Sequence, residues 1–248
     1  MLHKTRGIAL HTVKFSETSI IAKIYTELFG LQSYLIRGIR KQHARIKPGL
    51  FQPLTILDLT VYYKETGSLH SIKEVHILYP YQTMPFDIMK SSIALFMNEL
   101  IYKSIREEEP NQELFDFLFE TCIELDSLKS NNTLFPLLFA LKLTKFLGFM
   151  PRLDESPGKE IFNMREGVFQ ENIPDHNHYL RPPLTTLLKD LIKPEPSSSP
   201  DKSLTGEHKQ ETLKSRNELL EQILIYYKLH LPDFREIRSH QILHTILA

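Results

Sequence analysis

Arg37, Arg40, Lys41, Arg45 and Lys47 fall within eleven positions of the stretch IRGIRKQHARIKPG, Ile36 to Gly49, and no carboxylate lies among them. Cations packed so densely repel one another, and an anion laid across them relieves that repulsion. Arginine suits this use, because its planar fork grips a phosphate through two parallel N–H bonds. The competing reading is a solvated surface loop. What positions the loop decides between the two.

Two other groups of residues could do chemistry. Glu171, Asp175, His176 and His178 crowd into ENIPDHNHYL, and imidazole with carboxylate is a ligand set for zinc. In an irregular segment the same residues read first as solvated side chains, and a metal-dependent hydrolase built on His176 and His178 is the distant alternative. In NTLFPLLFALKLTKFLGFMP, Lys142 and Lys145 are the only charges of a very apolar helix. With Phe146 they form a candidate patch for a peptide carrying aromatic and acidic groups; the alternative is the core of a helical bundle.

Other chemistries lack their parts. The nine glycines never form GxxxxGK[ST] or GxGxxG, and HExxH, GxSxG and an EF-hand loop are absent. No cofactor is expected, and the chain does not read as an enzyme. The single cysteine, Cys122, lies among Leu114, Leu118, Thr121 and Leu125 at helical spacing and reads as a small apolar core residue. One thiol excludes an intrachain disulfide and a four-cysteine zinc site.

The elements that must position the basic loop come from the first eighty residues. Short runs rich in β-branched and aromatic residues predict five strands, over about 7–15, 19–26, 32–38, 51–63 and 68–77. Gly30 and Gly67 supply tight connections, and the long third connection carries the cations. Five strands in about eighty residues fit an oligonucleotide-binding barrel better than a sandwich. The loop then lies close to the face on which such barrels hold single strands. Tyr25, Phe29, Tyr34, Phe51, Tyr62 and Tyr63 lie on or beside these strands; Phe29 and Phe51 read as core, and the tyrosines stay open between core and base stacking.

Beyond YPYQTMPF the pattern turns helical, over 86–106, 111–128 and 132–148, with Pro136 tolerated in a first turn. Periodicity is lost over about 152–183, and a Pro- and Ser-rich linker is expected at about 194–210. Helices resume over ETLKSRNELLEQILIYYKLHL and REIRSHQILHTIL. The expected class is therefore α+β: a five-stranded OB-fold barrel over 1–80 followed by an all-helical domain over 81–248.

Charge divides along the same line. Residues 1–80 hold 11 Lys and Arg against 5 Asp and Glu, and residues 81–248 hold 19 against 25, so a formal net charge of zero conceals two opposite halves. A basic N-terminal module favours a polyanion. No 18-residue apolar run occurs and the opening MLHKTRGIALHTV lacks the apolar region of a secretory signal, so the chain reads as cytosolic and not membrane-bound.

RGIALHTVKFSETSIIAKIYTELFGLQSYLIRGIRK, with Glu17, Ser19, Thr26, Gly30 and Gly38, resembles the opening of the RecO family of bacterial recombination mediators. GLFQPLTILDLTVYY resembles the strand that follows in that family, LLFALKLTKFLGFMPRLD its L-G-[YF]-x-P element, and RSHQILHTIL its terminal helix. The resemblance spans most of the chain. It implies an N-terminal oligonucleotide-binding fold and a helical domain without catalysis. It also implies binding of single- and double-stranded DNA, annealing of complementary strands, contact with the acidic C-terminal tail of single-strand binding protein, and work with RecR in loading RecA. On that basis Arg37, Arg40, Lys41, Arg45 and Lys47 are the expected DNA-binding residues.

Two departures stand out. Many members carry a four-cysteine zinc element after the L-G-[YF]-x-P motif, where this chain has RLDESPGKEIFNMREG. Zinc is not expected, and packing must hold that segment. Leu137 stands near where many members have arginine, which leaves Lys142 and Lys145 as the expected cations for the partner tail. From the residues alone, an RNA-binding barrel on a helical interaction scaffold remains the alternative.

Overall fold

The computed structural model describes residues 1–40, 44, 46–64, 67–106, 108–129, 133–193 and 206–246. The chain divides into two compact units, Met1–Asn131 and Asn132–Ala248.

In the first unit, strands β1 (Leu2–Lys14), β2 (Ile20–Thr26), β3 (Gly30–Ile36), β4 (Ile56–Tyr62) and β5 (His70–Tyr79) close into a barrel in the order β1-β2-β3-β5-β4. The long β1 serves two neighbours. Its first part pairs with β4, from Leu2↔Tyr62 to Ile8↔Ile56, and its second part pairs with β2, from Gly7↔Thr26 to Lys14↔Ile20, across a bulge between Ala9 and His11. A bulge bends a strand and so lets it pass from one partner to the next. The seam between β3 and β5 is parallel and short, with Tyr34↔His70 and Leu35↔Ser71 in register among the described residues.

Alternation sends Ala9, Ala22, Ile24, Tyr34, Ile36, Leu57, Leu59, Val61 and Val75 inward to form the core. Gly7 sits where there is no room for a side chain: a Cβ there would lie 2.7 Å from Leu59 Cδ1 and 2.8 Å from Ile24 Cγ2. Helices α1 (Ile88–Ser104) and α2 (Gln112–Ser127) complete this unit. Asp87 caps α1 by accepting the N–H groups of Met89 and Lys90, and Asn111 caps α2 by accepting that of Leu114.

The segment leading into α1 is fastened by Asp126, near the end of α2. Its carboxylate accepts the backbone N–H groups of Gln82 (2.9 Å), Thr83 (2.8 Å) and Met84 (2.7 Å). Burial alone would raise the pKa of this acid, but these N–H groups stabilise the anion and the net shift is downward.

The second unit contains α3 (Phe135–Phe146), strands β6 (Ile161–Asn163), β7 (Val168–Gln170) and β8 (Tyr179–Leu180), and helices α4 (Leu184–Ile192), α5 (Gly206–His230) and α6 (Ser239–Ile246). The strands form an antiparallel sheet in the order β7-β6-β8. Two tyrosines of α5 bind the unit together. Tyr226 Oη donates to the Phe149 carbonyl and Tyr227 Oη to the Ala140 carbonyl, each at 2.7 Å, while the Phe149 ring packs on both.

The expected class, a five-stranded OB-fold barrel followed by an all-helical domain, is corrected. The five-stranded sheet is mixed: among the described residues its β3–β5 pairing is parallel and two residues long, and the others are antiparallel. The helical part contains a second sheet, formed by part of the segment expected to be irregular over 152–183. Its strands are three residues long or shorter, too short for alternation to register in the sequence. The expected fourth strand over 51–63 begins only at Ile56, because Pro48–Phe51 forms a 3-10 turn and Leu54 takes a φ of 61°. Of the expected linker over 194–210, residues 194–205 lie outside the described residues, and α5 already begins at Gly206.

Candidate nucleic-acid interface

The strand registers bring several of the relevant residues to one end of the barrel. Lys14 pairs with Ile20 and Ile20 with Ile36, so the end of β1, the start of β2 and the end of β3 stand side by side. Arg37 follows directly. Gly38 then turns the chain with a φ of 70°, a conformation glycine adopts without strain. Ile39 points into the barrel, 2% exposed, and Phe51 closes over the same core from the far side of the connection. Arg40 donates its backbone N–H to the Thr18 carbonyl at 3.3 Å, which ties this turn to the one between β1 and β2.

The cations thus differ in setting. The side chains of Arg37 and Arg40 are exposed on a turn whose base is fixed by Ile39, and among the described residues no carboxylate pairs with either. Lys47 is also exposed, at the far end of the connection, where it precedes the 3-10 turn. Lys41 and Arg45 lie outside the described residues. Lys14 faces Glu17 at 3.4 Å in an exposed pair that water screens strongly.

Arg6, counted in the basic balance of the first eighty residues, is already engaged. Its Nε and Nη2 donate to the two carboxylate oxygens of Glu27 at 2.8 and 2.7 Å, and its guanidinium lies 5.0 Å from the ring centroids of both Phe115 and Phe119. The hydrogen bond from Arg6 is the main reason that the Glu27 carboxyl titrates below its ordinary range. This group holds α2 to the barrel.

The aromatic residues divide just as sharply. Tyr25, Tyr34 and Phe51 are buried. Phe29 is half-buried against the core and stacks on Tyr63 with centroids 3.9 Å apart, and Tyr63 in turn stacks on His70 at 4.7 Å. Tyr62 is half exposed, but it pairs with Leu2, at the opposite end of β1 from Lys14. Sequence reasoning missed Phe15, which follows β1 directly and is 57% exposed. The signal was the alternation Val13, Phe15 running off a strand end into the turn SETS, where strand pattern and turn pattern overlap.

His70 is buried under this stack. Its Nδ1 accepts the Lys64 backbone N–H at 3.5 Å, which leaves Nε2–H to donate to Gln32 Oε1 at 3.0 Å. Gln32 Nε2 donates in turn to the Phe29 and Glu108 carbonyls. Burial lowers the His70 pKa from 6.5, so the neutral ring is the form that fits.

In the second unit, the spacing of Lys142, Lys145 and Phe146 on α3 puts all three on one helix face. Both lysines are exposed, Phe146 is half-buried, and Lys145 Nζ lies 5.7 Å from the Phe146 ring centroid. Leu137 is 1% exposed and faces the core, so a partner in solution does not meet it.

His176 and His178 have ring centroids 6.2 Å apart, and the backbone N–H of His178 donates to His176 Nδ1. Among the described residues no three His, Cys, Asp or Glu side chains, including Asp175 and Glu171, form a group that could hold a metal ion. In place of the cysteine element, Asn163 organises the small sheet: its Oδ1 accepts the N–H groups of Arg165 and Glu166, and its Nδ2 donates to Gln170 Oε1. Phe162, Phe169 and Tyr226 pack together beneath it. Cys122 is fully buried, and burial pushes its thiol up to about 12, far from the thiolate a nucleophile needs. No described helix is long and apolar enough to cross a membrane.

Comparison with known proteins bears directly on these features. Residues 1–81 match the family described as Recombination protein O N terminal, and residues 85–232 match Recombination protein O C terminal. The chain is 37% identical over 244 residues to the DNA repair protein RecO of Bacteroides fragilis, covering 98% of each chain. It is 32% identical over 248 residues to that of Phocaeicola vulgatus, covering 100% of each, and 34% identical over 251 residues to that of Flavobacterium johnsoniae, covering 99% of each. With both family regions present in order and relatives aligned end to end, the chain belongs to the RecO family of recombination and DNA repair proteins.

Proposed function

We propose that this chain, a recombination mediator by family, acts without catalysis by holding DNA backbones on the barrel end that carries Arg37 and Arg40. The observation that supports this reading most is the pair itself: two exposed arginines without carboxylate partners among the described residues, on a turn tied to its neighbour through Arg40 and Thr18. Contacts to phosphate read no sequence, so single- and double-stranded DNA are both bound. A surface that screens two polyanions at once favours annealing of complementary strands. Lys41, Arg45 and Lys47 extend the same connection and are proposed to share the phosphates.

The face of α3 with Lys142, Lys145 and Phe146 is proposed to receive the acidic C-terminal tail of single-strand binding protein. With RecR as a further partner, the chain would then help load RecA on DNA coated by that protein.

The test of the DNA site is the salt dependence of binding. Each neutralised phosphate on a single strand contributes about −0.7 to the slope of log K against log salt, so replacing Arg37 and Arg40 by alanine flattens it by about 1.4. An unchanged slope removes this turn from the site. Competition between RNA and DNA of one sequence separates the RNA-binding alternative, because only contacts to the 2′-OH favour RNA. The mediator role is read from strand annealing of DNA pre-coated with single-strand binding protein, which this chain accelerates.

A further inference from the structure

We infer that Phe15 is a base-stacking platform and that it gives the barrel a preference for single strands that the neighbouring cations cannot give. The inference rests on the DNA reading above and adds a residue with a different kind of work.

An exposed phenylalanine alone means little, since single apolar side chains are common on protein surfaces. Three further observations bear on Phe15. First, its backbone is fixed: the N–H groups of Phe15 and Ser16 both donate to the Ser19 carbonyl, at 3.0 and 3.2 Å, and Ser19 is 7% exposed. A ring on a rigid turn loses little freedom when it meets a ligand. Second, it stands with the cations. Lys14 precedes it, Arg37 follows the strand residue Ile36 that neighbours Ile20, and Arg40 bonds to the turn that Phe15 opens.

Third, other rings of the barrel are taken up or elsewhere. Tyr34 and Phe51 are interior, Tyr25 stacks on Phe115, Phe29 and Tyr63 stack on each other, and Tyr62 lies at the far end of β1. Val13, 49% exposed and two positions before Phe15, extends the apolar surface.

The chemistry then selects the strand. Phosphates of single and double strands serve Lys14, Arg37 and Arg40 equally well. A ring face needs a base face, and in a duplex the faces of internal bases are already covered by their neighbours. Stacking on an aromatic side chain is therefore open to an unpaired base and closed to a paired one.

The experiment uses the full chain, which contains no tryptophan. Phe15→Trp makes residue 15 the sole indole emitter, and its fluorescence is expected to be quenched by oligothymidylate and unaffected by a duplex of equal length. Phe15→Ala is expected to weaken oligothymidylate binding about fivefold or more. Duplex affinity should stay within about twofold and the salt slope should not change, because no charge is lost.

Tryptophan emission unmoved at saturating oligothymidylate overturns the inference. So does a Phe15→Ala variant that loses single-strand and duplex affinity in equal measure, since that is the mark of a structural role. Should Phe15→Ala bind normally while the Arg37 and Arg40 variants flatten the slope, stacking fails and the DNA reading stands. Should those arginine variants leave the slope unchanged, the DNA reading fails at this end of the barrel and the inference falls with it.

Discussion

The carboxylate of Asp126 accepts the backbone N–H of Met84 at 2.7 Å, joining the end of α2 to the segment that leads into α1 across more than forty residues of sequence. The same carboxylate takes the N–H groups of Gln82 and Thr83, and the Lys90 ammonium donates to the Asp126 carbonyl at 2.8 Å. Asp126→Asn turns one acceptor oxygen into a donor that faces N–H groups. It is expected to cost about 2–4 kcal/mol in urea unfolding of the full chain, with the DNA-binding salt slope of the folded fraction unchanged.

Acid weakens the first unit through His70. In the folded chain burial holds its pKa below the ordinary 6.5, and a protonated ring would in addition place an Nδ1–H against the Lys64 N–H. The unfolded chain therefore takes up a proton that the folded one refuses, and stability present above pH 6.5 is lost as pH falls through that value. The urea midpoint is expected to drop between pH 7.5 and about 5.5. His70→Gln lowers the midpoint at neutral pH and makes the drop shallower. His244 titrates in the same direction, also through burial, so the variant flattens the dependence without abolishing it.

On α3, Lys142 and Lys145 are exposed, whereas Leu137 is buried. A peptide ending in an acidic, phenylalanine-containing tail is expected to bind with a micromolar dissociation constant, and Lys142→Glu to weaken it by about tenfold or more. Fluorescence anisotropy of the labelled peptide gives both values. Undiminished binding by Lys142→Glu assigns the tail to another surface.

The positions of the strands were legible where local chemistry suffices. Gly38 and Pro48 bracket the basic connection in the sequence as they do in the structure, and the β-branched runs of β2 and β3 are plain. The first half of β1 was not legible: Lys4 and Arg6 interrupt its apolar pattern, and its pairing with β4 is made about fifty residues away. The same holds for Asp126, whose partners lie far back in the chain.

The small sheet of the second unit failed for another reason. Its strands fall below the length at which a period of two can be distinguished from chance, and Gly167, with a φ of 68°, is the local mark of its hairpin. At the candidate interface, the clustering of the cations is plain in the sequence. The exposure of Phe15 is not, because exposure of a strand-end aromatic depends on how the turn after it folds back.

Gly7 carries a consequence for any ligand. Leu59 and Ile24 close to within 2.8 Å of where a side chain at that position would begin, and they belong to the cluster of buried side chains that fills the barrel. That leaves no bore at this level for a ligand to enter. At the DNA site proposed above, a strand would then lie along the outside of the barrel and over its rim, where it is laid down and lifted off sideways without an end being found.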